Sequence, residues 1–138
     1  MAQRTTESTN LHDRVIREIR YVLNQKEYDI HLNPGQEKNA GIAGNYPDVI
    51  MTIKGTPNVK FILEVETADS ITKEEAEGQW KKYANEIKAT FYIVVPEAFA
   101  FRAKQLCQQA GVNARFATFA INDLGKLTFK FNLNSATL

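Results

Sequence analysis

Tyr46-Pro47-Asp48-Val49-Ile50-Met51-Thr52-Ile53 leads into Lys54-Gly55-Thr56-Pro57-Asn58 and returns as Val59-Lys60-Phe61-Ile62-Leu63-Glu64-Val65-Glu66-Thr67. Both flanks are rich in β-branched and apolar residues and the middle is a Gly/Pro/Asn cluster, the pattern of a β-hairpin. With the turn centred on Thr56, Ile53 is expected opposite Val59, Met51 opposite Phe61 and Val49 opposite Leu63 on one side of the sheet. On the other side Thr52 is expected opposite Lys60, Ile50 opposite Ile62 and Asp48 opposite Glu64. Glu66 lies two residues further along and shares the face of Glu64. Three carboxylates thus gather at one end of an otherwise apolar hairpin, and a one-residue slip would scatter them and mix the faces.

Like charges directly opposite one another destabilise a sheet. Oxygen donors clustered in this way suit a hard divalent cation such as magnesium, which binds through one or two carboxylates together with water and phosphate. The competing explanation is a solvated strand end that carries acids without consequence.

Pro47-Asp48 followed by Glu64-Val65-Glu66 resembles the motif of the PD-(D/E)XK nuclease superfamily. One position departs from it: Glu66 stands where the family usually has lysine. The resemblance implies a restriction-endonuclease-like α/β sandwich, in which a mixed central sheet is flanked by helices. It also implies magnesium or manganese held by Asp48, Glu64 and the carbonyl of Val65, with Glu18 of the first helix as a further candidate ligand. Gln79-Trp80-Lys81-Lys82-Tyr83 resembles a Gln-x-x-x-Tyr motif of exonuclease-type members and lies on the helix after the acidic strand. The residues expected to meet substrate are therefore Asp48, Glu64, Glu66, Gln79 and Lys82.

Composition narrows the context. The chain has 138 residues, 43% hydrophobic and 24% charged, ordinary values for one globular domain able to bury its own core. A net charge of +1 gives no general basic field, so any phosphate-binding surface must be a local patch. One cysteine rules out a disulfide within the chain, and two histidines without cysteine partners argue against zinc. No leader sequence or membrane-length apolar run is recognisable, which makes the cytoplasm the expected compartment.

Outward from the hairpin, Met1 to Thr9 is polar and expected as a loose tail, with a single domain over residues 10–138. Asn10 is the expected cap of a helix running to about Gln25, on the spacing of Leu11, Val15, Ile19, Val22 and Leu23. On that helix Glu18 also has a plain role, pairing with Arg14 at i−4. Tyr28 to Leu32 reads as a short strand, and residues 33–45, with few apolar groups, as a flexible flap offering Lys38 to phosphate. Thr72 and Glu75 form a capping-box pattern for a second helix, whose stripe is Ala76, Trp80, Tyr83, Ala84 and Ile87. Thr90 to Val95 reads as a buried central strand and Pro96 opens a third helix ending at Gly111, with Cys107 on its buried face. Two further strands follow, over residues 113–121 and from Leu127 to Leu133, giving the order αβββαβαββ.

Two functions remain open on this reading. One is a magnesium- or manganese-dependent nuclease acting on nucleic acid, DNA in the first instance, with a homodimer as one way to cut both strands. The other is a catalytically degenerate nuclease-like module that binds nucleic acid or a partner protein. The intact Asp48/Glu64 pair favours the first and the missing lysine favours the second.

Overall fold

The computed structural model of the protein describes residues 4–131, and the expected end of the last strand at Leu133 lies outside them. Helix α1 (Thr6–Ile19) is followed by strands β1 (Tyr28–Leu32), β2 (Val49–Ile53) and β3 (Val59–Val65). A second helix, α2, is α-helical over Lys73–Glu75, π-helical over Ala76–Trp80 and α-helical again over Lys81–Glu86. Strand β4 (Thr90–Pro96), helix α3 (Ala100–Ala110) and strands β5 (Arg115–Ile121) and β6 (Leu127–Phe131) complete the chain. The six strands form one mixed sheet in the order β1-β2-β3-β4-β5-β6, parallel at β3/β4 and β4/β5 and antiparallel elsewhere. The parallel junctions are those bridged by α2 and α3, as crossover connections require.

The two faces of the sheet carry separate cores, because alternate residues of each strand point in opposite directions. On one face Val49, Met51, Leu63, Val65 and Val94 pack beneath Val15, Ile16 and Ile19 of α1. On the other, Ile50, Ile62, Ile93 and Val95 pack against Trp80 and Tyr83 of α2 and Ala103, Leu106 and Cys107 of α3. Burial pushes the Cys107 thiol up to about 12, which suits a packing residue and not a nucleophile. Among the described residues no helix is long and apolar enough to cross a membrane.

Several boundaries differ from expectation. Helix α1 begins before Asn10, because Thr5 caps it by accepting a hydrogen bond from the Ser8 N–H at 3.1 Å. It also ends earlier, although Leu23 beyond it is still buried. In the hairpin Val49, Ile50 and Met51 face Leu63, Ile62 and Phe61 as expected, but a bulge after Met51 sets Thr52 against Val59 in place of Lys60. The cause is the turn, which is built as Ile53 to Thr56 with Gly55 at φ 74° and closed by Thr56 N–H donating to the Ile53 carbonyl at 2.9 Å. That centre lies towards β2 from Thr56, and the extra residue is absorbed as a bulge. The slip stays at the turn end and leaves the acidic end in register.

The segment read as a flexible flap is pinned by one side chain. Asn33 is buried and donates to the carbonyls of Ala40 (2.7 Å) and Pro47 (2.8 Å), while its Oδ1 accepts from the N–H groups of Asn39 (2.8 Å) and Ala40 (2.9 Å). An amide can satisfy donors and acceptors at once, and here it replaces the backbone pairing that a loop lacks. A tight turn between Ile42 and Asn45 and a bond from Asn45 to Glu86 of α2 (3.3 Å) set the loop against that helix. Asn33→Ala should therefore cost about 2–4 kcal/mol in urea unfolding, with faster amide exchange across residues 34–46. A change below about 0.5 kcal/mol would mean that the loop is held by something else.

Candidate active site

The acidic ends of β2 and β3 form the floor of a cleft of about 540 Å³ between α1, the pinned loop and α2. Period-two alternation puts Ile62, Glu64 and Glu66 on the α2 face in succession, so the sheet's apolar face turns acidic where β3 ends. Asp48, Glu64 and Glu66 are all buried, Glu66 completely. Each is partnered differently.

Asp48 Oδ2 accepts from the Val65 N–H at 2.8 Å and lies 3.1 Å from His12 Nε2. The other ring nitrogen of His12 is 3.1 Å from Asp13 Oδ1. Both neighbours are carboxylates, so both ring nitrogens donate and the histidine is an imidazolium. Burial pushes its pKa down, but the hydrogen bond and charge of Asp48 outweigh burial and the net shift is upward.

Glu64 has no cation among the described residues. Its Oε1 accepts the Asp48 N–H at 2.8 Å and its Oε2 accepts Gln79 Nε2 at 3.0 Å. The same Gln79 nitrogen lies 3.0 Å from the Tyr83 hydroxyl, which fixes the amide's orientation towards the acid. Burial, then the charges of Asp48 and Glu66, hold the Glu64 carboxyl well above the usual range near 4.5.

Glu66 is saturated. Ser70 Oγ donates to Oε1 at 2.5 Å, Arg4 Nη2 donates to the same oxygen at 3.2 Å, and Trp80 Nε1 donates to Oε2 at 2.9 Å. Burial and the charge of Glu75 push its pKa up to about 8. Glu75 is itself raised by burial, with the charge of Arg4 acting against the shift. The Glu75 N–H donates to Thr72 Oγ1 at 3.2 Å, the backbone half of the expected capping box. The π-helical turn lets adjacent residues serve different acids, Gln79 reaching Glu64 and Trp80 reaching Glu66.

The sequence-predicted residues thus separate into groups. Asp48, Glu64 and Gln79 line the cleft together, with Lys82 at its edge. Glu66 lies behind them, its oxygens spent on internal donors. Glu18 is not brought to the acids: it is part-exposed, pairs with Arg14 Nε at 2.7 Å and does not line the cleft. Its place on α1 is taken by His12, which sits at i, i+3 and i+4 from Val15 and Ile16 and could be found by extending the apolar stripe towards the N-terminus. Arg4 had no such signal, since it lies in a polar stretch and meets the acids only in three dimensions. Trp80 and Tyr83 are buried rings, as expected of core residues, whose polar atoms serve the acids.

As a cation site the donor set is all oxygen: Asp48, Glu64 and the Val65 carbonyl. That suits magnesium or manganese, which need only one or two carboxylates beside water and phosphate. Among the described residues no three His, Cys, Asp or Glu side chains are grouped to hold a metal by themselves.

These protonation states fix how stability depends on pH. Folded Glu64 and Glu66 retain protons that the unfolded chain gives up near 4.5, so the native state binds more protons and loses stability as pH rises. The raised His12 acts in the same direction: its contribution is complete below 6.5 and fades as pH passes its folded pKa. In metal-free buffer the protein should therefore lose on the order of 3 kcal/mol between about pH 5 and pH 8. Glu66→Gln, which cannot titrate, should show a shallower loss in the same thermal melts. A melting temperature that climbs over this interval would contradict the assignment. Compared with known proteins, the chain matches no family model, no curated protein and no solved structure.

Proposed function

We propose that this chain is a metal-dependent phosphodiesterase acting on nucleic acid, DNA in the first instance, built on a restriction-endonuclease-like sandwich. One observation carries the reading. Glu64 is buried beside Asp48 at the floor of an open cleft with no positive charge paired to it among the described residues. Leaving a carboxyl in this condition costs stability and contributes nothing to packing. A bound cation would remove the cost. The sequence of elements and the position of Gln79 on the helix after the acidic strand support the same reading.

Asp48, Glu64 and the Val65 carbonyl would hold magnesium or manganese, which when bound would make a water more acidic and offset charge on a phosphate. The protein's own residues have definable tasks around it. His12 keeps Asp48 oriented through Oδ2, and Gln79 keeps Glu64 pointed across the cleft. Lys82 and Lys38 at the cleft edge present charge to a polyanion, Lys38 lying 5.1 Å from the centre of the Tyr46 ring. In this reading Glu66 is not the general base, because it lies behind the cleft lining with Arg4, Ser70 and Trp80 on its oxygens. From sequence it is expected among the residues that meet substrate; this reading assigns it to the scaffold behind them.

A second reading has its own observation. With Glu66 spent internally, no lysine among the described residues occupies the cleft floor, which fits a nuclease-like module that binds nucleic acid or a partner protein without cutting it. Cleavage separates the two. The wild type should cut single- or double-stranded DNA only with magnesium or manganese, and Glu64→Gln and Asp48→Asn should each lower the rate at least about 100-fold. Glu66→Gln should keep most of the activity. Absence of cleavage on either substrate, or cleavage indifferent to Glu64→Gln, would contradict the enzymatic reading.

A further inference from the structure

Besides the imidazolium of His12, the cleft is lined by an arginine delivered from outside the hairpin and α2. Arg4 precedes α1, yet its guanidinium is built into the end of β3. Nε donates to Thr67 Oγ1 at 3.1 Å, and Nη2 donates to Ser70 Oγ and Glu66 Oε1 at 3.2 Å and more weakly to the Val65 carbonyl at 3.4 Å. These bonds use one edge of the planar fork and leave Nη1 without a protein partner among the described residues. The side chain is still 19% exposed, and Arg4 lines the same cleft as Asp48 and Glu64.

The arrangement is held from behind as well. Asp69 Oδ2 accepts the Thr5 N–H at 3.1 Å and the Ser8 hydroxyl at 2.7 Å, while Thr67 donates to Oδ1 at 2.6 Å. That clamp ties the start of α1 to the turn after β3, so the arginine is positioned by both ends of its own segment. A guanidinium with fixed inner donors and a free outer one presents a ready hydrogen bond to an anion, because little side-chain entropy remains to be lost.

We propose that Arg4 is the phosphate-gripping residue of this cleft and that Glu66, standing where the motif has lysine, aims it. The cation and the strand position have exchanged carriers: the strand supplies the acid and the N-terminal segment supplies the charge. This rests on the nucleic-acid reading above and makes it more specific. Lys82 and Lys38 meet the polyanion at the cleft edge, whereas Arg4 meets the phosphate next to Asp48 and Glu64.

The test is binding of a fluorescent decathymidylate to the full chain, in calcium to prevent turnover, as a function of salt. Each lost phosphate contact lowers the log–log salt slope by about 0.7 for a single strand. Arg4→Ala and Arg4→Gln should lower the slope by about that amount and weaken binding several-fold, with Arg4→Lys near wild type. Lys104→Ala, a lysine outside the cleft, is the reference for losing one surface charge. Adding Glu66→Lys to Arg4→Ala should restore the slope, a rescue that a purely structural arginine would not give. If Arg4→Gln melts lower but keeps wild-type affinity and slope, Arg4 is only a fastening and the proposal is overturned. Wild-type cleavage alongside that result would leave the nuclease reading standing. A wild type that neither binds nor cuts the oligonucleotide would remove both.

Discussion

The structure depends on the cost of placing carboxylates on the inner face of a sheet. Once β3 alternates so that Ile62 belongs to the α2 core, Glu64 and Glu66 must follow on the same side. Burial disfavours their charge by several kcal/mol unless partners are supplied. The neighbouring features answer that demand. The π turn in α2 brings Gln79 and Trp80 to different acids, and the backbone N–H of Asp48 is given to Glu64. Arg4 and Ser70 close over Glu66. What separates the two glutamates is completeness: Glu66 has a cation and Glu64 has none among the described residues.

This difference divides fold from function. Glu66, Ser70, Trp80 and Arg4 form a polar network in which both oxygens of Glu66 are occupied, the kind that fixes a unique arrangement. Glu64 and Asp48 also have hydrogen-bond partners, but they face a cleft and Glu64 has no cation among the described residues. A protein selected only for stability would have apolar residues at these two positions. Retaining acids there sacrifices stability at neutral pH, a common trade in binding and catalytic centres and the one the proposed cation would offset.

The hairpin's apolar alternation made the acidic end legible in the sequence, and the register over Val49 to Met51 follows from it. It did not reveal the bulge, because turn closure at Gly55 is a local backbone choice that leaves the hydrophobic pattern unchanged. The mixed sheet with helices on both faces could be read from element order, since β-branched runs alternate with helical stripes after Thr67. The pinned loop could not: Asn33 resembles any loop asparagine until its four bonds are placed in space. Among site residues, Asp48, Glu64 and Gln79 were visible because strand and helix periodicity brings them to one face. His12 lies on the same buried stripe as Val15 and Ile16 but is polar, so apolar spacing alone does not mark it. Arg4 depends on contacts with a segment distant in sequence, and no periodicity encodes those.

The central claim is that Glu64 and Asp48 form a cleft site for a divalent cation while Glu66 belongs to the scaffold. Calorimetric titration of manganese into the metal-free protein addresses it most directly. The account predicts one specific ion per chain in the wild type and in Glu66→Gln, with binding lost in Glu64→Gln while that variant remains folded. Equal binding by wild type and Glu64→Gln, or loss of binding in Glu66→Gln alone, would contradict it.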